Sequence, residues 1–158
     1  MGVYRDNTTV MMRKMLPQPL PEPIVDLGGR SHSAWLQSII KQPFETWDML
    51  PGTDVNRVVN ITDMSAIEPA SIGTAICTSV LEHVDRPWLV PLQIANIMRQ
   101  GGLLYVTAPF NFIYHKHPED YWRYTTDALR ILFNEYFTEL WCDWAGTGEQ
   151  CHYLGERK

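Results

Sequence analysis

Short apolar runs alternate with amphipathic segments along most of the chain, as in proteins whose strands and helices follow one another. The apolar runs end at glycine, proline or polar residues, which is typical of buried strands. The predicted strands span residues 24–27, 44–49, 55–61, 73–79, 103–108, 137–145 and 151–154. The predicted helices span residues 33–41, 66–70, 84–100 and 126–136, and Pro91 either interrupts or starts the third of these.

The order of these elements predicts an α/β fold with a mostly parallel sheet. Gly101 and Gly102 are expected to end the helix at 84–100, and Thr125 or Thr126 to cap the next one. The last two strands have no helix between them, so we expect an antiparallel C-terminal hairpin around Gly146-Thr147-Gly148. Right-handed crossovers bring the carboxyl ends of the parallel strands to one side, where ligands bind.

The first 23 residues differ from the rest. Residues 11–16 predict one or two helical turns, and the four prolines from Pro17 to Pro23 then favour an extended segment. We therefore expect an N-terminal Pro-rich extension at 1–23 and one domain at 24–158.

The charge, the lack of long apolar stretches and the cysteine content argue against several classes of protein. The chain has 158 residues and a formal net charge of −5, which disfavours binding to nucleic acid. No apolar stretch is long enough for a membrane span, and the N-terminus is too polar for a secretory signal. The three cysteines form no CxxC pair, so free thiols and a cytoplasmic location are expected.

Three acidic or glycine-rich strand ends are candidate ligand contacts. Gly28 and Gly29 follow the first predicted strand, where backbone can approach a ligand closely, or where they simply form a tight turn. Asp48 ends the second strand and suits the two hydroxyls of a ribose, or caps a surface turn. Asp63 follows the third strand and either accepts a hydrogen bond from an adenine amino group or caps the turn at 65–67.

Five motifs follow one another along the chain: DLGG, Trp47-Asp48-Met49, NITDM, CTSVLEHVDRPW and GGLLYVTAPF. Their order resembles that in the class I S-adenosylmethionine-dependent methyltransferases. The later segment PFNFIYHKHPEDYWRYTTDALRILF is very similar to one in the small methyltransferase-type-11-like proteins. The resemblance covers residues 24–148. It implies a three-layer Rossmann-like methyltransferase fold, S-adenosyl-L-methionine as cofactor, and a small-molecule or glycan-linked acceptor.

The resemblance also assigns the glycine turn. Asp26, Gly28 and Gly29 would lie beside the amino-acid part of S-adenosylmethionine. The family has a further glycine where this chain has Arg30-Ser31-His32, so its pattern is altered here. We hypothesise that Arg30 compensates by pairing with the cofactor carboxylate.

The remaining cofactor contacts implied by the resemblance lie at the next strand ends. Asp48 would bind the ribose hydroxyls and Met49 would lie against the adenine. Asp63 and Met64 would flank the adenine ring.

The end of the fourth strand carries two further implied contacts. Thr78 and Ser79 would lie beneath the sulfonium and its methyl group. Glu82 and His83 resemble part of an E-x-x-E-H segment that is associated with a metal ion in ubiquinone-biosynthesis O-methyltransferases, but Ser79 replaces its first Glu. Two ligands from one turn are a weak metal signal, so no metal site is predicted.

A polar cluster follows the fifth strand. His115 and His117 are candidate bases: one of them could take the proton of an acceptor while Asp120 orients it. Tyr121 and Arg123 are candidate acceptor contacts, and Trp122 and Tyr124 candidate pocket walls. In the alternative interpretation Asp120 and Arg123 form an ion pair that fixes the loop, and the aromatic residues belong to the core.

Two other functions remain open at this point. One is a degenerate cofactor-binding or structural subunit without turnover, which the altered glycine motif favours. The other is a nicotinamide-dependent oxidoreductase, against which the missing G-x-G-x-x-G motif counts. The expected partner is a small-molecule or glycan acceptor, and the expected assembly is a monomer or homodimer, with Trp141 or Trp144 at an exposed position.

Overall fold

A computed structural model describes residues 2–146 and 148–158, with side chains from residue 5 onward. The four helices are α1 (Gly2–Met15), α2 (Ser33–Ile39), α3 (Val90–Ile97) and α4 (Thr126–Phe133). The seven strands are β1 (Ile24–Leu27), β2 (Glu45–Asp48), β3 (Arg57–Val58), β4 (Ile72–Thr78), β5 (Met98–Pro109), β6 (Phe137–Ala145) and β7 (Gln150–Arg157). Two short 3₁₀ turns, Leu81–His83 and Pro87–Leu89, lie between β4 and α3. Thr147 of the predicted hairpin turn lies outside the described residues.

The strands form one sheet in the order β3-β2-β1-β4-β5-β7-β6. The first five are parallel, and β7 pairs antiparallel with both β5 and β6. The predicted mostly parallel sheet with an antiparallel C-terminal hairpin is therefore confirmed. In β6, Leu140 is an extra residue between Glu139 and Trp141, which makes a β-bulge.

Alternating side chains of the strands pack against helices on both faces of the sheet, which gives three layers. On one face, Ile24 and Ile76 lie in a core cluster with residues of α1 and α2. On the other face, Val25 and Cys77 lie in a larger cluster with residues of α3 and α4. No helix in the described part of the chain is long and apolar enough to cross a membrane.

The region predicted as a helix at 84–100 is different in the structure. The α-helix begins only at Val90, with Pro91 in its first turn, where proline is tolerated. Met98 is already extended and pairs with Ile72, so the end of the predicted helix belongs to β5. Gly101 and Gly102 lie at a register shift within β5 and do not end a helix.

The predicted strand at 55–61 is shorter in the structure, and the predicted helix at 66–70 does not form. Strand β3 contains only Arg57 and Val58, both exposed at the sheet edge, where 55–61 was expected. Residues 66–70 form turns without a helix. Thr125 is the N-cap of α4, and its Oγ1 accepts a hydrogen bond from the Ala128 N–H at 3.1 Å, as predicted.

The N-terminal helix is longer than the predicted one or two turns. Its 14 residues are stabilised by packing, since Met12 and the following Leu16 are buried against the sheet. The predicted domain boundary after residue 23 stays a prediction.

Candidate functional site at the carboxyl edge of the sheet

The turn after β1 leaves no room for side chains. Gly28 has φ +78°, and its N–H donates to the Trp47 carbonyl at 2.7 Å. A Cβ on Gly28 would overlap the Val80 side chain, and a Cβ on Gly29 would overlap the Asp26 carboxyl group. The two glycines therefore let a buried acid and a neighbouring loop close in on the turn.

Asp26 is the buried acid of this turn, with 2% of its surface exposed. Burial raises its pKa to about 7, and the nearby carboxylates of Asp48 and Asp54 add to the shift. A cation placed at this turn would be attracted by the carboxylate form of Asp26 and would favour it.

Asp48 lies one strand away, at the end of β2. Its carboxylate accepts hydrogen bonds from the N–H groups of Leu50, at 2.9 Å, and Arg30, at 3.3 Å. The Arg30 Nε lies 3.7 Å from the Asp48 Oδ1, so the two side chains also form an ion pair. The structure thus directs Arg30 toward Asp48, and its predicted pairing with a cofactor carboxylate stays a hypothesis.

The residues predicted around an adenine ring differ in exposure. Met49 is 55% exposed, whereas Met64 is 2% exposed and belongs to the core. Asp63 is exposed, and its carboxylate accepts hydrogen bonds from the N–H and hydroxyl of Ser65, at 3.2 and 2.7 Å. These bonds lower the pKa of Asp63, and they match the turn-capping alternative. A direct adenine contact by Met64 would require its side chain to leave the core.

A chain of hydrogen bonds ends at the predicted methyl site. Ser79 has φ +54°, an uncommon conformation for a residue with a side chain, and its N–H donates to the Thr107 carbonyl at 3.0 Å. The Gln150 amide donates to the Ser79 Oγ at 3.0 Å, and the Thr8 hydroxyl donates to the Gln150 Oε1 at 2.6 Å. Thr78 is partly exposed beside them. Helix α1 is thereby tied to the end of β4.

Glu82, His83 and His115 come together at the 3₁₀ turn that follows β4. The His83 and His115 rings are 4.9 Å apart between centroids, and His117 lies 6.1 Å from each of them. The Glu82 Oε1 is 3.9 Å from the His83 Nε2. Glu82 is 1% exposed, and neither of its carboxylate oxygens receives a hydrogen bond from another described residue. Burial raises the pKa of Glu82 to about 8 and lowers the pKa of His83.

The loop that carries His115 is held by Asp120. Both Nη atoms of Arg123 donate to the Asp120 carboxylate, at 2.5 and 2.8 Å, and the His115 N–H donates to it at 2.7 Å. The Arg123 hydrogen bonds hold the pKa of Asp120 well below its usual range. Arg123 also donates to the carbonyls of Phe112 and Ile113. Arg123 and Asp120 therefore form the ion pair that the alternative interpretation of the sequence expected to fix the loop. A contact of Arg123 with an acceptor stays a prediction.

The aromatic residues of the loop divide into two kinds. Tyr124 is buried, and its hydroxyl donates to the Leu81 carbonyl at 2.9 Å, so it belongs to the core. Trp122 is 39% exposed, and its indole N–H donates to the Val84 carbonyl at 2.9 Å. Tyr121 is 51% exposed and remains available to an acceptor.

Comparison with known proteins supports the fold. No family model matches the chain. The 1,6-didemethyltoxoflavin-N1-methyltransferase of Burkholderia thailandensis, solved with 1,6-didemethyltoxoflavin and S-adenosylhomocysteine, has a TM-score of 0.74 at 14% identity, over 99% of this chain and 79% of that one. An S-adenosylmethionine-dependent methyltransferase from Mesorhizobium loti has a TM-score of 0.71 at 12% identity, over 97% of this chain and all of that one. The chain has the fold of class I S-adenosylmethionine-dependent methyltransferases.

The similarity in sequence is shorter. The ubiquinone biosynthesis O-methyltransferase of Xanthomonas euvesicatoria pv. vesicatoria (strain 85-10) is 33% identical over 51 residues. This match spans 32% of the chain and about a fifth, 21%, of that relative's length. The similarity to solved structures confirms the methyltransferase fold that the sequence motifs imply. The short sequence match does not establish the activity of this chain.

Sequence reasoning missed two side chains that shape this methyltransferase-fold site. The Asp54 carboxylate accepts hydrogen bonds from the Ser31 N–H, at 3.1 Å, and the Ser33 hydroxyl, at 2.9 Å, and so fixes the turn after Gly29. Its place two residues after the Pro51-Gly52 turn is the signal that could have identified it. Gln150 lies 71 residues from Ser79, and no local pattern connects them.

Proposed function

We propose that this protein is an S-adenosylmethionine-dependent methyltransferase that acts on a small-molecule or glycan-linked acceptor. The observation that carries the proposal is the pair of acids, Asp26 and Asp48, at the carboxyl ends of two adjacent parallel strands beside a glycine turn. A buried acid there suits the ammonium group of an amino acid, and an acid one strand away suits ribose hydroxyls. The methyltransferase fold and the short match to an O-methyltransferase support the same function.

The residues at the turn fit this cofactor. Gly28 and Gly29 let the Val80 side chain and the Asp26 carboxyl group approach the turn closely, and Asp26 would hold the ammonium group. Asp48 would accept hydrogen bonds from the ribose, with Arg30 still beside it as a counter-charge. When bound, the cofactor supplies an electrophilic methyl group on a sulfonium.

Other residues would position the rest of the cofactor. Met49 and Asp63 would lie at the adenine end. Ser79, held by Gln150, and Thr78 would lie below the sulfonium. Hydrogen bonds to Thr107 and from Gln150 hold both the backbone and the hydroxyl of Ser79, so this residue is already positioned before any ligand binds.

The acceptor side would be supplied by the loop after β5. His115 is oriented by Asp120, whose Oδ2 lies 3.3 Å from the His115 Nδ1, and His117 is exposed next to it. A neutral imidazole at this place would remove the proton of a hydroxyl or amine acceptor. Tyr121 would form part of the acceptor wall.

Calorimetric titration with S-adenosylhomocysteine tests the proposal. Asp48→Ala should weaken binding by at least ~1.5 kcal/mol, roughly tenfold, because hydrogen bonds to charged groups are worth about 1.5–3 kcal/mol. Asp143→Asn, an exposed acid on β6, is the matched control and should leave the affinity unchanged. Equal affinity of the Asp48 variant and the control would remove Asp48 from the cofactor site.

A thermal-shift panel separates the competing functions. Stabilisation by S-adenosylhomocysteine supports the methyltransferase, and stabilisation by NAD alone would support the oxidoreductase. No binding of S-adenosylmethionine at millimolar concentration would support a structural subunit without turnover.

A further inference from the structure

We propose that Glu82, His83 and His115 form a binding site for a single divalent metal ion of the Zn²⁺ type. One ligand atom from each of the three residues lies within 4.8 Å of the others. Two imidazoles and one carboxylate are a donor set that Zn²⁺ and related ions prefer. The set joins the 3₁₀ turn after β4 to the loop after β5, and it shares no residue with the proposed cofactor contacts. A metal ion bound to the lone pair of His115 would leave His117 as the base for the acceptor proton.

The buried carboxyl group of Glu82 is the strongest argument for a metal ligand at this place. Glu82 is 1% exposed, its oxygens have no hydrogen-bond partner from another described residue, and its Oε1 lies 3.9 Å from the His83 Nε2. A buried acid without partners stays protonated unless a cation stabilises its charged form, and a metal ion bound by Glu82 would supply that cation. The guanidinium of Arg123 acts on Glu82 through its charge, but it donates hydrogen bonds to Asp120 and none to the Glu82 carboxyl group.

Both histidines are oriented as metal ligands are. The His83 Nδ1 is 2.5 Å from the Glu119 carbonyl oxygen, and the His115 Nδ1 is 3.1 Å from the Ile113 carbonyl oxygen. A carbonyl only accepts, so each Nδ1 must carry the proton, which leaves the lone pair on Nε2. Metal-bound histidines usually donate their second ring N–H to a carbonyl or carboxylate in this way.

The distances need only a small adjustment. Ligand atoms about 2.0–2.1 Å from a tetrahedral ion are about 3.3 Å from one another. The separation of 3.9 Å between Glu82 and His83 and the limit of 4.8 Å for the trio are therefore within about 1.5 Å of that arrangement. Side-chain rotation of the partly exposed His115 supplies such a movement.

Three protein ligands leave a fourth tetrahedral position open, which is the arrangement of catalytic rather than structural zinc sites. The exposed ring of His117 lies 6.1 Å from the rings of both His83 and His115. A water molecule or a polar group of the acceptor would occupy that position.

Titration of the chelator-treated full-length protein with ZnCl₂ tests the site. We expect one Zn²⁺ per chain, and at least ~100-fold weaker binding by Glu82→Gln and by His115→Ala, since loss of second-shell partners alone costs roughly 10–100-fold. Glu119→Gln removes an exposed carboxylate of the same loop but keeps the carbonyl that contacts His83, so it should bind Zn²⁺ like the wild type.

Bound Co²⁺ gives a second readout, because its visible absorption should change in the same two variants and not in the control. Circular dichroism checks folding, and Glu82→Gln should fold because it replaces the unpaired carboxylate with a neutral group. Failure of one variant to fold leaves the other to decide. No saturable Zn²⁺ binding, or equal affinity in both ligand variants and the control, would overturn the site. Binding of S-adenosylhomocysteine, measured separately, distinguishes this failure from failure of the proposed function.

Discussion

A histidine buried in β7 makes the stability of this protein depend on pH. His152 is fully buried, its Nδ1 lies 2.6 Å from the Tyr105 hydroxyl, and its Nε2 has no hydrogen-bond partner among the described residues. Burial lowers its pKa to about 4 from an ordinary value of 6.5. The folded protein therefore keeps His152 neutral at a pH where the unfolded chain already binds the proton.

The size of the effect follows from the two pKa values. Because the folded-state pKa is depressed, stability is intact above about pH 6.5 and is lost as the pH falls toward 4. The full shift corresponds to about 3 kcal/mol, and about 2.5 kcal/mol of it falls between pH 7.5 and 4.5. His152→Asn keeps a polar group for Tyr105 and cannot be protonated.

Urea unfolding of the wild type and His152→Asn at pH 7.5 and 4.5 measures this contribution. The buried acids Asp26 and Glu82 are present in both proteins, so their own pH dependence cancels in the comparison. We expect the stability of the variant relative to the wild type to rise by about 2.5 kcal/mol on acidification. The same loss of stability in both proteins would refute the reasoning that burial keeps His152 neutral.

Two further predictions concern the glycine turn and the loop after β5. Gly28→Ala should lower the free energy of unfolding more than Gly101→Ala, by about 1–3 kcal/mol. Both glycines have φ near +75°, at +78° and +75°, but only Gly28 would place its new Cβ against Val80. Equal losses of stability in urea would show that the turn can open. Arg123→Lys should increase limited proteolysis of the loop, because lysine cannot make the paired hydrogen bonds to Asp120; unchanged cleavage would mean that this ion pair does not hold the loop.

The sheet could be predicted from sequence because its strands are short, apolar and separated by clear breaks. Local patterns failed where distant contacts decide the conformation. Met98 could extend either a helix or a strand, and its pairing with Ile72 selects the strand. Helix α1 is similar, since its length depends on packing of residues such as Met12 against the sheet.

The candidate site shows the same division. The acids at the ends of β1 and β2 could be predicted because strand ends of a parallel sheet lie together. The meeting of His115 with Glu82 and His83 could not, because it depends on the path of the loop after β5. The ion pair of Arg30 with Asp48 could not be predicted either, since the sequence offered no reason to prefer Asp48 over the carboxylate of a bound cofactor.

Strand β6 is a nine-residue edge of the sheet, and its bulge at Leu140 bears on self-association. An open edge is a template on which a strand of a second molecule can pair, and such pairing leads to aggregation. The bulge interrupts the regular spacing of backbone donors and acceptors, so an added strand cannot form a continuous ladder there. The exposed Asp143 and the net charge of −5 also repel a second copy. A pH near the isoelectric point of about 5.5 would remove the protection that comes from net charge, while the protection that comes from the bulge would remain.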